Sequence, residues 1–302
     1  MKVVIAGGSG FLGRPLIRSL ATDGCEVVVL TRKPSASTVP EARFVSWTPD
    51  GESGPWAAEL TGATAVVNLA GESIAARRWS SAQKGRILQS RLLATRSLVA
   101  AIRGSSHAPA AFISGSAVGY YGPLGDERVT EERQAGSDFL SDVCRQWESE
   151  AARTADATRV VCIRTGLVLE KDGGALPRML LPFWIGAGGP LGSGRQYWPW
   201  IHRDDWTALV RWAIGNANAA GPINATAPTP VTNKEFAVTL GRVLRRPAFM
   251  PTPGFALQLA LGEMAGALLL SGQRALPAKA ERLGFSFRFN RLEDALRAVF
   301  AR

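Results

Sequence analysis

Cysteine, histidine and tyrosine are all scarce in this sequence: three, two and three among 302 residues. Cys25, Cys144 and Cys162 sit in apolar surroundings without metal-ligand spacing, and their number is odd. That excludes a disulfide framework and a thiolate zinc site, and leaves reduced, buried thiols in a cytoplasmic setting as the expectation. The histidines and acids form no ligand cluster, so no metal is expected. A signal-peptide pattern is missing, since "MKVVIAGG" turns into glycine at once. Long apolar runs are missing too. "ALQLALGEMAGALLL" (256–270) contains Glu263 and falls short of the ~20 residues a membrane span requires. It reads as a buried or interface helix, with no membrane as a partner. Lysine is sparse, so arginine carries most of a net charge of +10. The arginines are scattered and no block of like charge accompanies them, which points to a solvated basic surface and, in part, to an anionic small ligand. No nucleic-acid motif goes with the charge, and no specific nucleic-acid partner is expected. Finally, "DFLSDVCRQWESEA" (138–151), an amphipathic helix by its spacing, holds no tyrosine and no lysine.

What is present starts at residue 2. An apolar run, residues 2–6, leads into Gly7-Gly8-Ser9-Gly10-Phe11-Leu12-Gly13. Leu16, Ile17 and Leu20 follow at helical spacing, then Gly24 and a second strand, Val27–Leu30. A glycine-rich loop between strand and helix is the setting in which such a motif binds a dinucleotide. Gly7 allows the tight turn, Gly10 lets backbone N–H groups approach a pyrophosphate, and Gly13 permits close helix–strand packing. An acid at the end of the second strand would hold the ribose 2′-hydroxyl of NAD. This chain has Thr31-Arg32-Lys33 there and no acid before Glu41, a pairing of cations that suits a 2′-phosphate and hence NADP.

Strands and helices alternate to about residue 170. "ATAVVNLAGESI" (63–74) is a strand ending in small residues, and 81–103 is a long helix carrying Arg91. "AAFISGSAVGYYG" (110–122) is a strand running into Ser114, Gly115, Ser116, Tyr120 and Tyr121. "TRVVCIRTGLVL" (158–169) holds a further strand, with Arg164, Thr165, Gly166 and Val168 opening a loop. The alternation predicts an α/β fold with a doubly wound parallel sheet. Beyond it, 177–201 is rich in Gly, Pro and Trp, a helix is expected over 205–215 behind Asp204-Asp205, and 221–228 reads as a return strand. The remainder is mainly helical, with a β-like "GFSFRF" at 284–289. The expected division is a core of 1–170, joined by 202–228, and a closing lobe of 171–201 and 229–302.

In this order the motifs "GGSGFLG", "TRKP", "NLAGESI", "QSRLLATRSL", "SGSAVGYYG", "RTGLVL" and "LPFWIGAGGPLGSGRQYWPWIH" resemble the extended short-chain dehydrogenase/reductases. More narrowly, they resemble the atypical "epimerase family protein" branch, which is NAD-dependent epimerase/dehydratase-like. The resemblance covers essentially the whole chain. It implies a Rossmann core, a small mainly helical C-terminal lobe and NADP as cofactor. It implies that Gly7, Gly10, Phe11, Leu12 and Gly13 surround the pyrophosphate and that Thr31 and Arg32 meet the adenosine phosphate. Leu69, Ala70, Gly71, Arg91 and Val168 are implied along the cofactor. Ser9, Lys33, Glu72, Ser114 and Gly115 are counted to the same site.

The chain departs from that family at its chemistry. Aligned through Glu148, the "Y-x-x-x-K" pair of active members falls on Leu140 and Cys144. The remaining candidates for proton transfer are Ser116, Tyr121 (or Tyr120) and His202. Cys144, on a helix with Leu140 and Val143, is expected to be inert. Two functions stay open: an NADP-dependent oxidoreductase or epimerase acting on a small molecule, and a non-catalytic NADP(H)-binding sensor or interaction protein. A homo-oligomer is left open as well.

Overall fold

Short apolar runs rich in valine and isoleucine make strands buried on both faces, which is how parallel sheets read in sequence. A computed structural model describes residues 1–34 and 39–301. The first of these runs are β1 (Lys2–Ala6), β2 (Glu26–Thr31) and β3 (Arg43–Ser46), with α1 (Gly13–Thr22) between the first two. Next come β4 (Ala65–Asn68), α2 (Ser81–Arg103), β5 (Ala111–Ala117) and the short β6 (Arg128–Val129). α3 (Phe139–Ala152) then leads to β7 (Arg159–Thr165), β8 (Leu167–Leu169) and α4 (Leu176–Trp184). β9 (Tyr197–Trp198) and β10 (Trp200–His202) precede α5 (Arg203–Gly215) and β11 (Gly221–Ala225). The chain ends with β12 (Val231–Thr232), α6 (Asn233–Leu244), α7 (Gly254–Leu261), α8 (Glu263–Ala265), β13 (Arg274–Ala275), α9 (Ala278–Arg282) and α10 (Leu292–Phe300).

Seven strands form one sheet in the order β11-β7-β5-β4-β1-β2-β3, and every neighbouring pair is parallel. The expected doubly wound α/β sheet is therefore the fold observed. One face packs Ile5, Val29 and Val67 against Leu16, Ile17 and Leu20 of α1 and Trp206, Leu209 and Val210 of α5. The other packs Val4, Val66 and Phe112 against Leu98, Val99 and Ile102 of α2. Each such side chain, fully removed from water, contributes about 1.5–3 kcal/mol. A third cluster, with Leu180, Trp198, Trp200, Phe236, Leu240 and Leu296, forms the core of the helical C-terminal part. Successive connections leave β1 in opposite directions, so the topological switch lies between β1 and β4, where open α/β sheets hold their ligands.

Three local expectations are corrected. The run 256–270 is not one helix: Gly262, at φ +65°, divides it, and α7 buries none of its residues. "GFSFRF" is not a strand; Phe285, Phe287 and Phe289 are buried, and the Asp205 carboxylate accepts the N–H groups of Arg288 (3.0 Å) and Phe289 (2.9 Å) that a sheet would have used. Val168 lies in β8, paired with Ile201 of β10, and not in a loop. Among the described residues, no helix is long and apolar enough to cross a membrane, and no group of three His, Cys, Asp or Glu side chains is placed to hold a metal ion.

Candidate functional site

The loop after β1 is shaped by two glycines. Gly7 sits at φ +77°, and a Cβ there would stand 2.7 Å from the Leu69 carbonyl carbon. A Cβ on Gly13 would lie 2.3 Å from the Gly8 carbonyl oxygen. Any side chain at either place would push the loop away from β4 or off its helix. The Gly10 N–H donates to the Gly7 carbonyl at 3.1 Å, and the Arg14 Nε donates to the Ser9 carbonyl at 2.9 Å. This arrangement aims the N-terminus of α1 across the switch point, where an anion is favoured. Beside it, a cleft of about 650 Å³ is lined by Ser9, Gly10, Phe11, Arg14, Arg18, Asp172, Gly173 and Arg203. The Phe11 ring packs so closely on the loop after β8 that a Cβ on Gly173 would lie 2.4 Å from Phe11 Cδ2.

Along the same edge, β2 ends in Thr31, with Arg32 and Lys33 exposed beyond it. On the other side of the loop, the Leu69 N–H donates to the Ala6 carbonyl (2.8 Å) and the Ala70 N–H to the Asn68 Oδ1 (3.1 Å). Arg91 braces this segment from α2: its Nη1 donates to the carbonyls of Glu72 (3.0 Å) and Ile87 (2.9 Å). Burial holds its pKa below the usual guanidinium value. The Glu72 N–H donates to Ser90 Oγ, and Gln83 donates to the Glu72 carboxylate, lowering its pKa. The structure thus places Thr31–Lys33, Gly7–Gly13, Leu69–Glu72 with Arg91, and Ser114–Ser116 in succession along the C-terminal edge of the sheet, in the strand order β2, β1, β4, β5. Val168 neighbours the same loop at Gly174, where a Cβ would lie 3.0 Å from the Phe11 ring and 3.6 Å from the Val168 carbonyl oxygen.

At the β5 end stands α3, capped by Asp138, whose carboxylate accepts the Ser141 N–H at 2.8 Å. Leu140 lies against Gly119, where a Cβ would meet its own at 3.3 Å. Cys144 is buried, and burial pushes its thiol up to about 11, the opposite of an activated nucleophile. One turn further, Glu148 accepts three hydrogen bonds. Ser116 Oγ donates to its Oε1 at 2.6 Å, Arg164 Nε to the same oxygen at 2.8 Å, and Arg164 Nη2 to Oε2 at 2.8 Å. The Arg164 guanidinium also stacks on Tyr120, 3.5 Å from the ring centroid, and donates to the Tyr121 hydroxyl at 3.0 Å. Tyr121 in turn donates to Asn224 Oδ1 at 2.7 Å, and the Asn224 N–H donates to Glu131 at 3.0 Å.

Of the three proton-transfer candidates, Ser116 and Tyr121 are joined through Glu148 and Arg164, and His202 serves elsewhere as a helix cap. Ser116 is hydrogen-bonded to a carboxylate. Tyr121 is buried with its hydroxyl both donating and accepting, and burial pushes it up to about 12. His202 is fully buried and caps α5: its Nδ1 accepts the Asp204 N–H at 3.1 Å, so the cap is His202 and not the acid pair after it. Sequence reasoning missed Glu148, Arg164 and Asn224 as parts of one network. The signal was the second arginine of "RVVCIRT", Arg164, set behind four apolar residues, since a buried guanidinium demands a carboxylate.

Known proteins share this frame. Residues 3–225 match the model of the "NAD dependent epimerase/dehydratase family", and 252–299 match a "Domain of unknown function (DUF1731)". A chloroplastic epimerase family protein of Arabidopsis thaliana, an SDR39U1 homolog, is 43% identical over 302 residues, covering 99% of this chain and 86% of the relative. The crystal structure of the human epimerase family protein SDR39U1, solved with NADPH, has a TM-score of 0.90 at 37% identity and covers 99% of both chains. A UDP-glucuronic acid 4-epimerase from Bacillus cereus, solved with UDP-glucuronic acid and NAD, shares the fold alone. Its TM-score is 0.78 at 15% identity, over 100% of this chain and 98% of its own. With the family model spanning the whole sheet and these relatives the whole length, the chain belongs to the NAD dependent epimerase/dehydratase family, in the atypical extended short-chain dehydrogenase/reductase branch of epimerase family proteins.

Proposed function

We propose that the chain is an NADP(H)-dependent oxidoreductase or epimerase acting on a small molecule. The observation that carries this reading is the glycine loop at the switch point, held against Leu69 and Ala70, with Arg32 and Lys33 exposed at the end of the neighbouring strand. The residues fit the cofactor. Gly7 and Gly13 keep the loop free of side chains, the first turn of α1 faces a pyrophosphate, and two cations meet a 2′-phosphate. Bound there, NADP(H) supplies or takes up a hydride. The NADPH held by the human relative supports the same choice. Ser116, hydrogen-bonded to Glu148, is the group best placed to move the accompanying proton.

Titrating the purified protein with NADPH and NADH tests the cofactor. NADPH is expected to bind more tightly, and Arg32→Ala to lose about 1.5–3 kcal/mol, roughly ten- to a hundredfold, for NADPH alone. Equal affinities, or an unchanged Kd in Arg32→Ala, would remove the basis of the assignment. A specific observation favours the non-catalytic sensor as second reading. In the register read from the sequence, Leu140 and Cys144 take the places of the wider family's Tyr and Lys, residues 138–151 hold neither type, and Cys144 is buried with a raised pKa.

The basic surface is assigned no nucleic acid. Duplex DNA is expected to bind weakly, without sequence preference, and to be released steeply as salt rises. A fluorescence-anisotropy titration showing a sequence-selective complex at physiological salt would reverse this.

A further inference from the structure

Of the nine large apolar side chains that stand exposed among the described residues, seven fall in two segments, 181–185 and 249–259. Leu181 and Trp184 lie exposed on α4 and Ile185 caps it, while Phe249 and Met250 follow α6. Phe255 and Leu259, 73% and 79% exposed, stand one turn apart on α7. Backbone bonds hold the segments together: the Met250 N–H donates to the Gly188 carbonyl (3.1 Å), and the Thr252 N–H to the Pro190 carbonyl (2.9 Å). Their far ends meet the same loop of the core, where Arg178 Nη1 donates to the Ala75 carbonyl (2.8 Å) and Gly262 packs against Arg78. α7 carries a single polar residue, Gln258, yet none of its residues is fully buried: Ala256, Leu257 and Leu261 are half-buried, and Phe255 and Leu259 face outward. A helix apolar on all sides belongs in a core or against an apolar partner.

Charge identifies the partner. Segments 176–200 and 240–262 contain Arg178, Arg195, Arg242, Arg245 and Arg246; Arg242 is paired with Glu293, and the acid at the edge of the face, Glu263, is already paired with Lys84. Arg245 and Arg246 are exposed at one end of the patch and Arg77 and Arg78 at the other. A second copy of the chain packed on this face would set arginines against arginines, whereas an anionic bilayer offers acyl chains to the apolar residues and phosphates to the guanidiniums. Trp184, with Arg246 over its ring at 5.6 Å, suits the headgroup level. We propose that this face docks on the surface of an anionic lipid bilayer, lying on it without crossing it. The expectation of no membrane partner rested on the length a span requires, which an interfacial helix does not need.

Flotation of the full-length protein with lipid vesicles tests the proposal. Vesicles of phosphatidylcholine mixed with phosphatidylglycerol are expected to carry the protein, and vesicles of phosphatidylcholine alone to carry far less. Phe255→Ser with Leu259→Ser is expected to lower partitioning by about a hundredfold, with Tm and NADPH affinity unchanged. Arg245→Gln with Arg246→Gln is expected to weaken binding to the anionic vesicles only. Absence from both vesicle types overturns the proposal, and so does equal partitioning of the serine variant. Dimers abolished by the serine pair, without vesicle binding, would assign the face to a second copy.

Discussion

Glu148→Ala is expected to destabilise the fold by about 3–5 kcal/mol, far more than a typical truncation on a helix. The Arg164 side chain is only 3% exposed and the Glu148 side chain 13%, so water cannot take over the role of the carboxylate. Burial by itself would lower the Arg164 pKa, but the two-point contact with Glu148 raises it above the ordinary value. Removing Glu148 leaves a guanidinium desolvated, stacked on Tyr120 and bonded to Tyr121, with no counter-charge at the β5 end. Replacing both partners, as in Glu148→Ala with Arg164→Met, removes the stranded charge and is expected to recover a large part of the loss. Urea-denaturation midpoints of the two single variants and the double variant provide the measurement. A loss below about 1 kcal/mol for Glu148→Ala would mean that the pair behaves like a surface salt bridge and does not organise the site.

That pair also marks how far the sequence could be read. The sheet was legible because its strands are continuous apolar runs and its glycine loop lies between a strand and a helix. Both are local patterns, and both appear as expected in β1, α1 and β2. The missing Tyr and Lys were legible for the same reason, as a property of fourteen consecutive residues, 138–151. Contacts between distant segments were not. Glu148 and Arg164 are separated by 16 residues, and Tyr121 and Asn224 by 103, so no periodicity connects them. The misread "GFSFRF" shows the limit from the other side. Its alternation of apolar residues is that of a strand, but Asp205, more than eighty residues earlier, takes the N–H groups. α7 fails for a related reason: hydrophobicity predicts burial only if a partner surface lies within the same chain.

Ser116→Ala is expected to lower turnover by ~10²–10⁴ while leaving NADPH affinity in place, and of the other single changes near the sheet edge only Glu148→Gln, which removes the proton's acceptor, should match it. The proton that accompanies hydride chemistry has to be moved by a side chain whose hydrogen bonds can be rearranged. Tyr121 does not qualify: its hydroxyl is held between Asn224 and Arg164 and is pushed up to about 12. His202 does not qualify either, since its Nδ1 is the cap of α5. Ser116 donates its proton to Glu148 at 2.6 Å, which leaves the Oγ lone pairs able to accept one. A substrate hydroxyl could pass its proton to Ser116 Oγ as the serine proton moves to Glu148, and the reverse path would return it to a carbonyl oxygen. Two hydrogen bonds from Arg164 hold the Glu148 carboxylate in place beside the Ser116 hydroxyl. The measurement is NADPH oxidation across carbonyl compounds and sugar nucleotides, followed on any hit by Ser116→Ala, Glu148→Gln, Tyr121→Phe and His202→Asn. Tyr121→Phe should cost about 1–3 kcal/mol of stability through its lost hydrogen bonds, and His202→Asn should keep a cap. Neither should slow turnover per folded molecule comparably. A hit on which Ser116→Ala is silent would move the proton elsewhere. Silence across every substrate class, with NADPH still bound, would leave Leu140 and Cys144 as the mark of a cofactor-binding protein that has given up chemistry.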